Sequence, residues 1–388
     1  MSFVELAKQY QKELITLRRD FHKFPEIGFE VENTAEKIYH YLSQIPLEVK
    51  KNVGKTGVVA DLIVPNATKT IALRADMDAL PIQELTDVPY KSTVEGKAHL
   101  CGHDAHMAIL LVTAKILGQL KDELKVNVRF IFQPSEEVWP GGAPGMIEEG
   151  VLDSVDEIYA LHVWPTLNVG EIGICDGPAM AQADGFSIKI TGKGGHAAIP
   201  CRSINPIYVG CSVIDALQKI VSQTIPSEHE AVLTVTQMLS GTCYNAIPEH
   251  CVINGTVRTF CSKDQQMIKE NMSEIIKGLE IATKAKITLD YLEGYPVTFN
   301  HCEQAKNLAD LLKKTIGSKN VIYPAKRALF GEDFAYYLQK TKGAFLQLGC
   351  KNSQFESSPM LHDPYFTIDE DCLVIGVSLW LELISESE

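Results

Sequence analysis

Two hydrophobic periods alternate along the first half of this chain. Leu6, Tyr10, Leu14, Leu17 and Phe21 recur at helical spacing and would line one face of an N-terminal helical segment. Thr56–Val64 (TGVVADLIV) and Thr70–Arg74 (TIALR) read instead as strands, the second short and apolar. The helical period returns over His106–Leu120, with Met107, Leu110, Leu111, Ala114 and Leu117 as its buried face. Val126–Phe132 (VNVRFIF) and Glu157–His162 (EIYALH) are again strand-like. Strands alternating with helices predict an α/β sheet covered on both faces.

The order changes after GPAMAQAD. From about Gln182 the chain reads strand (FSIKITG), helix (Pro206–Gln223), strand (AVLTVTQML), strand (CVINGTVRTF), helix (Lys263–Lys284) and strand (KITLDYL). That β-α-β-β-α-β order is the split-βαβ, ferredoxin-like pattern. Segments of the first style resume near Gly294–Tyr295–Pro296. The expected fold class is therefore α/β with two domains. Residues 1–181 and 294–388 would form the larger one, and residues 182–293 an inserted α+β domain.

Composition narrows the class. A chain of 388 residues exceeds the ~250–300 at which single cores stop growing, which agrees with two domains. With 45% hydrophobic and 22% charged residues, disorder is not expected. A net charge of −13 argues against nucleic acid or an anionic membrane as partner, since both need a basic face. The first residues show no signal peptide, and no run of ~20 apolar residues predicts a spanning helix. Ten cysteines are scattered from Cys101 to Cys372 without a CxxC, as expected of reduced thiols in a cytoplasmic protein.

Candidate chemistry follows directly after predicted strands, where ligands bind in open α/β sheets. TIALR runs into Asp76 and Asp78, VRFIF into Glu136 and Glu137, and EIYAL into His162. HLCGHDAHM packs Cys101, His103, Asp104 and His106 into one turn leading to a helix. A thiolate and an imidazole one residue apart can both face a metal ion; the plainer alternative is a glycine turn with Asp104 as a helix cap. Two adjacent glutamates in a turn can reach one cavity at different depths, one ligating and the other moving protons. GKGGHAAIP places His196 at an exposed loop tip, and PMLHDPYF places His362 between Leu361 and Asp363.

In chain order, RRDFHKFPEIGFE, RADMDALPI, CGHDAH, FQPSEE, GGAPGMIEEGVL, GKGGHAAIP, NAIPE, GTVRTF, FGEDFAYY and LHDPYF resemble the M20 metallopeptidase family, specifically its M20D aminoacylase and auxin-conjugate hydrolase branch. The resemblance implies a zinc-peptidase-like catalytic domain with an inserted lid and dimerisation domain. It also implies two divalent metal ions, held by Cys101, His103, Glu137, His162 and His362, with Glu136 as general base. Asp78 corresponds to a supporting carboxylate. His196 is similar to a lid histidine that reaches a partner's active site in dimers, and Asn245 and Arg258 to residues that bind the substrate carboxylate. The implied substrate is a small N-acyl-L-amino acid. The implied metal is zinc, with manganese, cobalt or nickel compatible with the same donors. An N-acetyldiaminopimelate deacetylase or a carboxypeptidase would share this pattern. A thiol hydrolase using Cys101 with His103 or His106, and a non-catalytic metal-binding protein, are the rivals from other classes.

Overall fold

The computed structural model describes residues 2–352 and 359–387. The chain divides into two compact units. One comprises Met1–Ala179, Thr298–Arg327 and Asp333–Glu388; the other comprises Met180–Val297 and Ala328–Glu332. The short segment Ala328–Glu332 carries too few residues for a period, so the sequence pattern does not reveal that it belongs to the second unit.

The first unit is built on one eight-stranded sheet. Its order is Glu48–Val53, Gly57–Leu62, Asn127–Gln133, Thr70–Asp76, Glu157–Trp164, Lys342–Gly349, Ile172–Ile174 and Val321–Ile322. The four strands from Asn127–Gln133 to Lys342–Gly349 in that order run parallel. They are buried along nearly their whole length, which is why they read as continuous apolar runs. Helix His103–Gln119 is buried on almost every side and packs against helix Cys372–Ser385. The N-terminal apolar stripe forms two helices, Phe3–Lys8 and Gln11–Lys23, rather than one. On the second, Leu14 and Phe21 are buried as the stripe predicts, but so is Arg18.

Parallel strands bring their carboxyl ends to one edge, and Asp76, Gln133 and Trp164 each end such a strand. The polar residues that follow them are thereby gathered at that edge.

The second unit is an antiparallel sheet in the order Ala231–Ser240, His250–Thr259, Gln182–Thr191, Lys286–Tyr295. Helices Pro206–Thr224 and Ser262–Thr283 cover one face. Val209, Val213, Leu217, Ile268, Met272 and Ile276 pack on Phe186, Ile188, Ile190, Ile253 and Val257. Burial alternates along Gln182–Thr191, as a sheet with one covered face requires.

Candidate active site

Asp78, two residues past its strand, ties the edge together. Its carboxylate accepts the backbone N–H of Glu136 at 2.9 Å and of Glu137 at 3.1 Å. Its carbonyl accepts the His103 Nδ1–H at 2.8 Å. One residue thus sets both the paired glutamates and the face that His103 presents. His162 is set in the same way, its Nδ1 donating to the Val163 carbonyl at 2.8 Å. With Nδ1 protonated in both rings, Nε2 is left with a free lone pair.

Those two nitrogens point into one cluster. His162 Nε2 lies 3.3 Å from Cys101 Sγ. His103 Nε2 has Asp76 Oδ2 at 3.7 Å, Glu137 Oε1 at 3.9 Å and Glu136 Oε2 at 4.0 Å. His362, whose backbone N–H donates to Leu100 O at 2.8 Å, brings Nε2 to 3.2 Å from Glu137 Oε1. The structure therefore brings Asp78, Cys101, His103, Glu136, Glu137, His162 and His362 together from five separate stretches of chain. Except for His362, whose side chain is 49% exposed, they are largely shielded from water.

The residues present fit a metal ion. His103 Nε2 is buried and makes no hydrogen bond, which is costly unless something else coordinates it. Cys101, His103 and His162 hold donor atoms within 4.8 Å of one another, and so do His103, Glu136 and Glu137. Burial alone would lower the His103 imidazole, but Asp76, Asp78 and Glu137 outweigh it and raise it to about 10. The pocket therefore stabilises positive charge at that point. Burial, with Glu137, Glu136 and Asp76, pushes the Cys101 thiol up. Burial and neighbouring His106 hold the His162 imidazole down. A Cys101 thiolate paired with an imidazolium is accordingly disfavoured unless another cation is present.

Glycine is required within the CGHDAH turn. Gly102 has a φ of +93°, and a Cβ there would lie 2.2 Å from Val163 Cγ2. Asp104 does not act as the cap of the following helix. Its Oδ2 accepts from Arg18 Nε and from His22 Nδ1, both at 2.8 Å, and all three residues are buried. Sequence inspection passes over Arg18 and His22, because a charge on an amphipathic helix ordinarily faces solvent. Arg74, Gln133 and Asp333 are missed too. They form a buried network behind Asp76, with Arg74 Nη2 donating to Asp333 Oδ1 at 2.9 Å.

The other three candidates belong to the second unit. His196 is exposed and pairs with Ala246, while the Asn245 carbonyl accepts from Ala197 N–H at 3.1 Å. His196 Nδ1 accepts from Ala198 N–H at 3.1 Å, leaving Nε2–H as a donor. Arg258 lies elsewhere. In the register of its strand, His250 faces Thr191 at one end and Arg258 faces Ala183 near the other. At ~3.3 Å per residue that separates the two positions by about 26 Å. The half-buried Arg258 guanidinium donates to backbone carbonyls and Thr256, and makes no ion pair among the described residues. A further group, His229, Cys261 and Asp264, also has clustered donors, but there His229 Nδ1 already pairs with the buried Asp264 carboxylate at 2.9 Å.

Buried thiol, imidazole and carboxylate donors at the carboxyl edge of a parallel sheet form a candidate metal centre, and comparison with known proteins supplies the class of chemistry. Residues 72–386 match Peptidase family M20/M25/M40, and the chain belongs to that family. It is 42% identical over 299 residues to an N-acyl-L-amino acid amidohydrolase of Geobacillus stearothermophilus, covering 77% of this chain and 80% of that one. With the N-acetylcysteine deacetylase of Bacillus subtilis (strain 168) it shares 39% identity over 377 residues, 97% of each. The crystal structure of the Bacillus subtilis YXEP protein, a dinuclear metal binding peptidase from the M20 family, matches with a TM-score of 0.84 at 35% identity, covering 97% of this chain and 98% of that one. The chain is thus a metal-dependent amidohydrolase of this family, acting on carbon–nitrogen bonds. Among the described residues no helix is long and apolar enough to cross a membrane.

Proposed function

We propose that this chain hydrolyses the amide bond of small N-acyl-L-amino acids. Cys101, His103, Glu137, His162 and His362 would hold two divalent ions, and Glu136 would act as general base. The observation that carries this reading is His103 Nε2, a buried nitrogen without a hydrogen-bond partner and with three carboxylate oxygens within 4.0 Å. The names of the relatives, an N-acyl-L-amino acid amidohydrolase and an N-acetylcysteine deacetylase, support the substrate class. Thiolate and imidazole donors favour zinc, and manganese, cobalt or nickel suits the same mixed set.

When bound, the ions supply Lewis acidity and a water of lowered pKa. The chain's own residues do the rest. Asp78 holds Glu136 by its backbone, so that the carboxylate takes a proton from water and delivers it to the leaving amine. His196, with Nε2–H as donor, hydrogen-bonds the scissile carbonyl oxygen as charge develops there. Asn245 and Arg258 bind the substrate carboxylate, the guanidinium engaging both oxygens.

Asn245 precedes strand His250–Thr259 and Arg258 lies toward the far end of that strand, which supports a reading in which one substrate receives the two from different copies of the chain. A homodimer through the second unit meets that need. Its edge strand Ala231–Ser240 exposes Leu239, and helix Pro206–Thr224 exposes Tyr208. All ten cysteines are free thiols, which supports a cytoplasmic location.

The test is hydrolysis of a panel of N-acyl amino acids, N-acetyldiaminopimelate and short peptides by purified protein. Activity is measured before and after EDTA and metal add-back, with Glu136→Gln as control. Activity that vanishes with EDTA, returns with metal and is absent from Glu136→Gln supports the reading, and the best substrate names the enzyme. Activity that survives EDTA but dies on thiol alkylation would instead make Cys101 a nucleophile.

A further inference from the structure

Asp76 and His106 lie against the proposed ligands, and their donor atoms fall within 4.8 Å of that of His103. By proximity alone they would count as additional ligands. Their hydrogen bonds assign them otherwise. Val163 N–H donates to His106 Nε2 at 3.0 Å and occupies that lone pair, so the ring proton sits on Nδ1. That proton is donated to Asp76 Oδ1 at 2.6 Å. The other oxygen, Asp76 Oδ2, accepts from Arg74 Nη1 at 2.6 Å.

Arg74 is anchored in turn. Its Nη2 donates to Asp333 Oδ1 at 2.9 Å and its Nε to Gln133 Oε1 at 3.0 Å. Gln133 Nε2 donates to both Asp333 oxygens, at 2.8 and 2.7 Å, and Ala143 N–H reaches Asp333 Oδ2 at 3.1 Å. Arg74, Asp76, His106, Gln133 and Asp333 are all buried. A carboxylate held on both oxygens in this way is fixed in orientation and its charge is already matched by Arg74, and an imidazole with both nitrogens engaged has no lone pair to give an ion.

We propose that Asp333, Arg74, Asp76 and His106 form a positioning chain for the metal site and are not ligands. The chain holds a fixed negative charge 3.7 Å from His103 Nε2. Through the Val163 backbone it also steadies the carbonyl that orients His162. The inference rests on the proposed metal centre, and it goes beyond that reading by separating the residues that bind the ions from those that aim the binders.

The test uses the full chain and the variants His106→Asn, His106→Leu and Asp333→Asn. Three quantities are measured: metal ions per subunit, metal affinity by competition with a chromophoric chelator, and the visible spectrum of the cobalt-loaded form. All variants should still bind two ions per subunit. His106→Leu should weaken metal binding about 10- to 100-fold and shift the cobalt bands, the usual size of an outer-shell loss. His106→Asn keeps a donor for Asp76 and should recover most of that affinity. Asp333→Asn, whose hydrogen bonds go to Arg74, Gln133 and Ala143 and to none of the proposed ligands, should weaken binding in the same direction while its circular dichroism stays native.

A fall to one ion per subunit in both His106 variants would make His106 a ligand and overturn the proposal. Native affinity and an unchanged spectrum in His106→Leu would overturn it too. If His106→Leu does not fold, native affinity in Asp333→Asn decides against it. A wild-type protein that binds no metal would defeat the metal-centre reading itself.

Discussion

Replacing Gly102 by alanine should destabilise the catalytic unit by an amount that can be divided into two parts. The residue has a φ of +93°, and left-handed backbone costs an L-residue about 1–2 kcal/mol. The new Cβ would sit 2.2 Å from Val163 Cγ2, where ordinary contact begins near 3.4 Å, so one of them must yield by more than an ångström. Overpacking of that kind costs about 1–3 kcal/mol. The expected total is about 2–5 kcal/mol. Val163→Ala removes the clashing atoms and by itself costs about 1.6 kcal/mol, at ~0.8 for each of two buried methyl groups.

In the double variant the steric part disappears and the backbone part stays, so the two substitutions should fall short of additivity by about 1–3 kcal/mol. Guanidinium unfolding followed by tryptophan fluorescence measures this cleanly, because Trp139, Trp164 and Trp380 are the chain's only tryptophans and all lie in the catalytic unit. Excess chelator keeps metal binding out of the comparison. Strict additivity, within about 0.5 kcal/mol, would refute the clash as the reason for glycine between Cys101 and His103.

Asp78→Ala removes the acceptor of two backbone N–H groups, and kcat should fall at least about 100-fold while soluble yield is kept; a loss below about threefold would show that Glu136 is placed by something else. Cys101→Ser exchanges a soft donor for a hard one. Zinc affinity measured by chelator competition should drop by about tenfold or more, with manganese affected least, and equal losses for both metals would contradict a thiolate ligand. Burial would raise the Glu84 carboxyl, but His22, Thr86 and Ser92 outweigh it and bring it from 4.5 down to about 2. Its folded-state value is depressed, so its stabilising contribution is complete above pH 4.5 and is lost as pH falls toward about 2. The difference in unfolding midpoint between wild type and Glu84→Gln should therefore close over that window, and a gap independent of pH would refute the assignment.

What could be read from sequence was whatever stood out against an apolar background. Strands buried on both faces are mostly apolar, so Asp76–Asp78 and Glu136–Glu137 appear as abrupt polar endings and His162 as a polar break near the end of its strand, and their meeting at one edge follows from parallel pairing. Arg74 was different, because its partner Asp333 lies 259 residues away and nothing local marks either as buried. Arg18 likewise sits on a helix where charge normally means solvent, yet its guanidinium packs over Tyr90 and pairs with Asp104. His106 shows a subtler limit. The motif places it among metal-capable groups, but its role turns on which nitrogen receives the Val163 N–H, a fact of strand position that no spacing encodes. Arg258 is displaced for a similar reason: it lies toward the end of strand His250–Thr259 opposite to the one that follows Asn245.

The place of strand Lys342–Gly349 bears on how the molecule is made. It lies inside the sheet, between Glu157–Trp164 and Ile172–Ile174, yet it is synthesised only after the whole second unit. A nascent chain emerging from the ribosome can pair its early strands, but it holds an open seam beside His162 until nearly 350 residues have appeared. His362 follows later still. The second unit, contiguous but for a five-residue return (Ala328–Glu332), can complete its sheet while the surrounding unit is unfinished. With the donor set proposed above, metal loading would be deferred to the last stage of biosynthesis, and truncated products would lack a complete set of donors with which to capture an ion.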